Sequence, residues 1–163
     1  MKIGIYPGSF DPITFGHVDI VNRALKIFDK IIILVSYNQS KKNTFFTPEE
    51  RLKMITKLFK DEPQVEVIKY DGLTIDACKK NNAVSIIRGL RMLTDFEYEY
   101  SMALTNKKLD DEVESVYFMT SVEYAYLSSS MVKEVFNLGA DIKEFVPDII
   151  LKYMKEKRDS VSK

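Results

Sequence analysis

His17 is the only histidine in the chain, and its setting is chemically suggestive. It closes the segment Tyr6-Pro7-Gly8-Ser9-Phe10-Asp11-Pro12-Ile13-Thr14-Phe15-Gly16-His17. An apolar run ends there, a loop rich in glycine and proline follows, and a helix begins near Gly16 or His17. A helix N-terminus presents unpaired N–H groups and a partial positive charge, which suit a phosphate. Alone, His17 reads equally well as an imidazole that happens to start a helix. Beside Gly16 and that loop it reads as functional. The loop lacks G-x-x-x-x-G-K-[ST] and G-x-G-x-x-G, so it is neither a P-loop nor a dinucleotide fingerprint. Asp11 reads as a turn residue before Pro12.

Three further segments carry related chemistry. Residues 37–46 hold Lys41 and Lys42 with no acid; Ser40-Lys41-Lys42 reads either as a solvated surface or as a phosphate contact. Residues 77–94 hold Lys79, Lys80, Arg88 and Arg91, again with no acid. The fork of an arginine binds oxyanions bidentately. The alternative for Arg88 and Arg91 is a salt bridge to Asp95, Glu97 or Glu99, and both can hold, with one arginine paired and one free. Ser128-Ser129-Ser130 precedes a helix with Val132, Val135 and Phe136. One hydroxyl would cap that helix, and three with the free N–H groups would form an anion nest. Lys133 is expected to point along its first turn.

The elements that must position these segments follow from hydrophobic period. Residues 3–6, 31–36, 65–70, 84–88 and 115–119 predict strands. Ile31-Ile32-Ile33-Leu34-Val35 is continuously apolar, as a parallel strand covered on both faces requires. Val18, Val21, Leu25 and Phe28 predict a first helix. Thr47-Pro48-Glu49-Glu50 predicts a capping box, and Thr94-Asp95-Phe96-Glu97 a second capped start, running to about Lys107. A short helix is expected from Asp141, and a last one from Pro147, with a polar tail fraying over 155–163. Met92, Phe96, Tyr100 and Leu104 share helical spacing and predict core or subunit contacts. Strand–helix alternation predicts one α/β domain over 1–163: a Rossmann-like, doubly wound, five-stranded parallel sheet with helices on both faces. The candidate segments follow strand ends, where such sheets bind ligands.

Composition narrows the function classes. With 163 residues, 24 basic against 24 acidic side chains and 45% hydrophobic residues, the chain fits a globular domain with no net charge. That balance argues against a general nucleic-acid binder, but not against a small anionic substrate. The single cysteine, Cys78, excludes an internal disulfide framework and fits a reducing compartment. No apolar run approaches a membrane span, and the first residues lack a signal-peptide pattern. A cytoplasmic protein without a membrane partner is expected. There is no second histidine, cysteine–base pair or metal-ligand cluster, which argues against a hydrolytic triad or zinc site. Four cationic or hydroxyl-rich segments at one sheet edge predict a pocket for several phosphates. Phosphoryl or nucleotidyl transfer fits, since positioning and charge neutralisation do most of that work.

The motifs also carry a resemblance. Gly8-Ser9-Phe10-Asp11-Pro12 with Thr14-Phe15-Gly16-His17 resembles the signature of the nucleotidyltransferase superfamily with a T/H-x-G-H motif. Leu127-Ser128-Ser129-Ser130-Met131-Val132-Lys133 resembles its second signature. Ile87-Arg88-Gly89-Leu90-Arg91 with Asp95-Phe96-Glu97-Tyr98-Glu99 is similar to the bacterial phosphopantetheine adenylyltransferase family. The likeness runs from Lys2 to about Tyr153.

The resemblance implies adenylyl transfer from ATP to 4′-phosphopantetheine, with Mg2+ held mainly through substrate phosphates, and a homohexamer. It implies catalytic roles for His17, Lys41 and Arg91. ATP contacts are implied at Ser9, Phe10, His17, Gly89, Leu90, Arg91, Glu99 and Tyr124-Ala125-Tyr126-Leu127-Ser128-Ser129-Ser130. Contacts to the second substrate are implied at Ser9, Lys41, Thr74 and Arg88. No residue is implied as a metal ligand. Tyr124 stands where this family often has tryptophan, and Leu127 replaces its usual isoleucine. Transfer of cytidylyl to an alcohol phosphate, or of adenylyl to nicotinamide mononucleotide, is the nearest rival. The block from Arg88 to Glu99 argues against both.

Overall fold

Alternating side chains split the second strand between two cores. The computed structural model describes residues 1–36 and 44–161. In β2 (Lys30–Ser36), Ile31, Ile33 and Val35 enter one apolar cluster, and Ile32 and Leu34 enter another. That two-residue period, with both faces covered, is why the run carries no polar residue until its end. β2 pairs in parallel with β1 (Ile3–Gly8) and β3 (Val65–Tyr70). β4 (Ser85–Leu90) pairs in parallel with β1 and with β5 (Glu114–Met119). The order is β3-β2-β1-β4-β5. The chain winds outward from β1 in one direction and from β4 in the other. A crevice therefore opens between the carboxyl ends of β1 and β4.

The larger core packs α1 (Phe15–Ala24), α2 (Pro48–Leu58), α5 (Ser129–Asn137) and α6 (Asp148–Val161) on one face of the sheet. The smaller core receives Ile75, Ala77 and Cys78 from α3 (Thr74–Lys80). The expected capping box of α2 is present: Thr47 Oγ1 accepts from Glu50 N at 3.2 Å, and Glu50 Oε2 accepts from Thr47 N at 2.7 Å.

Several local expectations are corrected. α4 (Leu93–Leu109) begins before Thr94, so Thr94 is not its cap. The Asp95 carboxylate instead reaches back to the N–H groups of Arg91 and Met92, at 3.3 and 3.4 Å. Residues 141–146 form turns rather than a short helix. The tail does not fray at 155: α6 continues because Lys157 pairs with Glu50 at 2.6 Å and Arg158 lies over the Phe136 ring at 4.9 Å. α3 carried no start signal, since Leu73 precedes it without a side-chain cap. Met92, Phe96, Tyr100 and Leu104 are not core residues; each is more than half exposed. No helix among the described residues is long and apolar enough to cross a membrane.

Candidate functional site

The loop after β1 is clamped from three directions. Gly8 must be glycine, because a Cβ there would meet the Phe10 ring at 2.8 Å. Phe10 is itself buried, and its ring sits edge-on to Tyr6 and His17, with centroids 5.3 and 5.2 Å apart. The Ser9 carbonyl accepts from Arg51 Nη1 of α2 at 2.6 Å. Asp11 does more than sit in a turn. Its carboxylate is buried and accepts from Phe45 N at 2.9 Å, Phe46 N at 2.8 Å and Lys133 Nζ at 2.9 Å. Lys133 therefore turns inward to Asp11 instead of lying along its own helix. The Pro12 carbonyl accepts from Ser129 Oγ at 2.7 Å. Ser128 is the N-cap of α5, with its hydroxyl accepting from Met131 N at 3.1 Å.

His17 lies in the first turn of α1 and reaches back to the N-cap. Its Nδ1 accepts from Thr14 N at 3.0 Å and lies 2.9 Å from Thr14 Oγ1. That bond assigns the neutral tautomer with the proton on Nε2. Burial first, and the Arg91 charge second, lower the His17 pKa from 6.5 to about 4. The ring is thus a neutral N–H donor at physiological pH. Two buried side chains that could otherwise ionise stay protonated. Burial raises the Tyr6 phenol well above its ordinary range and pushes the Cys78 thiol up to about 12.

β4 delivers the two arginines. Arg88 binds Glu99 through Nε at 2.8 Å and through Nη2, and its Nη1 donates to the Pro7 carbonyl at 3.3 Å. Burial is the largest single influence and opposes the Arg88 charge, but the hydrogen bonds it donates to Glu99 together with the nearby negative charge, that of Glu99 first, outweigh it and raise the pKa. Arg91 Nη1 donates to the Leu127 carbonyl at 3.1 Å, and its Nε lies 3.6 Å from Asp95. Each arginine thus keeps a carboxylate neighbour, so the salt-bridge reading holds for both.

These segments converge on a cavity of about 510 Å3 at the crevice between β1 and β4. Of the sequence-predicted site residues, Ser9, Phe10, His17, Arg88, Gly89, Arg91, Glu99, Tyr124, Leu127, Ser128, Ser129 and Ser130 line it. Leu90 does not: it is buried at the end of β4. Ala125 and Tyr126 do not either, and the Tyr126 ring packs edge-on to Phe145. Tyr124 stacks on Phe15 with centroids 6.2 Å apart. Thr74 lies in an adjoining cavity of about 190 Å3, which shares Pro7, Gly8, Arg88, Tyr98 and Glu99 with the first. Lys41 lies outside the described residues. Sequence reasoning missed Arg51, whose signal was a cation within the apolar stripe Met54, Ile55, Leu58. Of the second cavity it named Thr74, Arg88 and Glu99 but not Ser36, Met102, Asn106 or Tyr117. Among the described residues there is no group of three or more His, Cys, Asp or Glu side chains able to hold a metal.

A parallel sheet with phosphate-suited loops at its switch point suits a nucleotide but is shared by many nucleotide-binding proteins, and likeness to known sequences narrows the class to the nucleotidyltransferases. Residues 5–135 match the cytidylyltransferase-like family, to which the chain belongs. It is 54% identical over 157 residues to the phosphopantetheine adenylyltransferase of Lachnoclostridium phytofermentans, covering 96% of each chain. It is 50% identical to that of Caldanaerobacter subterraneus subsp. tengcongensis, covering 96% of this chain and 98% of the relative. For Clostridium tetani the identity is 48%, over 98% and 99%. Within the cytidylyltransferase-like proteins, the chain is therefore a member of the phosphopantetheine adenylyltransferase family. A bifunctional NMN adenylyltransferase/ADP ribose pyrophosphatase from Francisella tularensis, solved with AMP and a manganese ion, shares the fold. Its TM-score is 0.73 at 16% identity, over 97% of this chain and 49% of that one. This chain thus spans about half of that protein.

Proposed function

We propose that the two adjoining cavities bring ATP and 4′-phosphopantetheine together for adenylyl transfer, giving dephospho-coenzyme A and pyrophosphate. The shared wall carries this reading: Arg88, Glu99, Pro7 and Gly8 border both spaces, so two ligands bound there meet beside the Ser9–His17 loop. A phosphate oxygen of phosphopantetheine attacks the α-phosphorus in line. A new P–O bond forms, the bond to the β-phosphate oxygen breaks, and pyrophosphate leaves with that electron pair. A phosphate monoester has a second pKa near ~6, so it is already a nucleophile at neutral pH and needs no protein base.

In this reading the neutral His17 donates Nε2–H to the charge that builds on the α-phosphate, and Arg91 and Lys41 add positive charge. Ser9, Phe10, Gly89, Glu99, Tyr124 and 127–130 surround ATP, while Arg88 and Thr74 face the phosphopantetheine side. The carboxylates at the cavity, Asp95 and Glu99, are each beside an arginine, so the donor set does not form a protein cage for a metal. Mg2+ would be held by the phosphates of ATP rather than by side chains, neutralising their charge, as its preference for retained water and few protein ligands allows. The exposed α4 side chains Phe96, Tyr100 and Leu104 serve subunit contacts in a homohexamer. In this reading the protein acts in the cytoplasm.

A pyrophosphate-release assay tests the reaction. Release with ATP and 4′-phosphopantetheine together, and with neither alone, is expected. Release only with CTP, or only with nicotinamide mononucleotide as acceptor, would overturn the substrate assignment.

A further inference from the structure

Among the described residues, Arg51 is the largest side chain that is fully buried, at 2% exposure. It sits on the apolar face of α2 beside Met54 and Ile55, where a methionine would fill the space without the cost of desolvating a guanidinium. Two of its hydrogen bonds show what it does there. Nε donates to the Thr47 carbonyl at 3.3 Å, and Nη1 donates to the Ser9 carbonyl at 2.6 Å.

The Ser9–Phe10 peptide is trans, the one cis bond among the described residues being Asp11–Pro12. In a trans peptide the carbonyl and the following N–H point in opposite directions. Holding the Ser9 carbonyl down toward α2 therefore turns the Phe10 N–H up, toward the side where Ser9 is exposed and the larger cavity lies. Phe10 adopts φ +46, a left-handed conformation that a bulky residue avoids unless its surroundings impose it. Among the described residues, no acceptor pairs with the Phe10 N–H. An aimed, unsatisfied backbone donor in a cavity wall is what an oxyanion requires.

We propose that Arg51 is a positioning residue: through the Ser9 carbonyl it holds the Phe10 N–H toward the reacting phosphate. It touches no substrate. This rests on the adenylyl-transfer reading for which phosphate reacts, but not for whether the amide meets a nucleotide.

Two variants test it, Arg51→Met and Arg51→Lys, each assayed per mole of folded protein below its melting temperature. Arg51→Met is expected to lower kcat by about 10–100-fold with the KM for phosphopantetheine unchanged within about threefold. A role in packing alone would move melting temperature without that split. Arg51→Lys keeps the charge but loses the fork, and should fall between. The direct readout is the Phe10 backbone amide in a nitrogen-15 NMR spectrum, titrated with α,β-methylene ATP, whose α–β link cannot be cleaved. In the wild type the amide shifts on binding; in Arg51→Met the shift is lost while the His17 ring still responds. If Arg51→Met does not fold, Arg51→Lys alone is read in both assays, and a diminished shift supports the proposal. An intact Phe10 response with near-normal kcat in whichever variant is read would overturn it. A wild type that binds the analogue but releases no pyrophosphate would defeat the adenylyl-transfer reading and leave the amide test of Arg51 standing.

Discussion

Replacing His17 with alanine separates two jobs that one ring performs. Nδ1 takes the Thr14 N–H at the start of α1, and Nε2 is left as a donor to the cavity. Loss of the first bond removes a cap, worth about 1 kcal/mol, or a fall of roughly 2–4 °C in melting temperature for a chain of this size. Loss of the second removes a preorganised donor to developing charge, worth about 2.7–4 kcal/mol, or roughly 10²–10³ in kcat. The equilibrium affinity for ATP should change little, because the donor acts where charge builds in the transition state. The shape of the pH profile adds a sharper test. With its pKa lowered to about 4, His17 is neutral throughout the working range. The acid limb of kcat/KM should then follow the substrate phosphate, near ~6, in wild type and variant alike. Steady-state pyrophosphate release from pH 5 to 9 measures both height and shape. A variant with near-normal kcat, or one in which a limb vanishes together with the imidazole, would refute the reasoning.

Other outcomes follow from the same contacts. His17 costs stability in acid, because the unfolded ring with pKa 6.5 takes up a proton before the folded ring does at about 4. Its contribution is complete above pH 6.5 and is lost as the pH falls toward 4, by on the order of 3 kcal/mol in urea unfolding, and His17→Ala should flatten that part of the curve. Glu99→Ala leaves Arg88 half-buried without its carboxylate and should cost about 2–3 kcal/mol, less than a fully buried pair, with much of the loss recovered in Glu99→Ala/Arg88→Met. Phe96→Glu with Tyr100→Glu should leave the melting of the isolated chain within ~0.5 kcal/mol, since both rings are exposed, but reduce the mass seen by light scattering if α4 joins subunits.

The sheet was legible because its signal is local and repeated. A run such as Ile31–Val35 can satisfy both faces of only one kind of strand, and the motifs at Ser9 and Arg91 directly follow strands, whereas Ser128–Ser130 comes nine residues after β5. The capping box at Thr47 was legible for the same reason, as both partners lie within four residues. Nothing local announced α3, which has no side-chain cap. The cap of α4 was misplaced by two residues because Asp95, inside the helix, takes the role expected of Thr94. The site was legible in its inner wall, where Ser9, His17, Arg91 and 128–130 follow strand ends. Its supports were not legible. Asp11 and Lys133 are 122 residues apart, Ser9 and Arg51 are 42 apart, and no periodicity connects either pair. The exposed stripe of α4 has helical spacing, and spacing alone cannot say whether a core or another chain covers it.

The clamps on the Ser9–Thr14 loop also set a timetable for synthesis. Arg51 can hold Ser9 as soon as α2 has docked, but Ser129 and Lys133 come from near the far end of the chain. At about 5–20 residues per second, the loop waits roughly 6–24 s after Asp11 is made for Lys133 to be made. A nascent chain that already has β1, β2 and β3 therefore carries a half-built phosphate site with the Asp11 carboxylate uncompensated by its lysine. On the proposed reading, ATP meets a finished pocket only on a nearly finished protein, and would stabilise the completed chain without trapping its precursors.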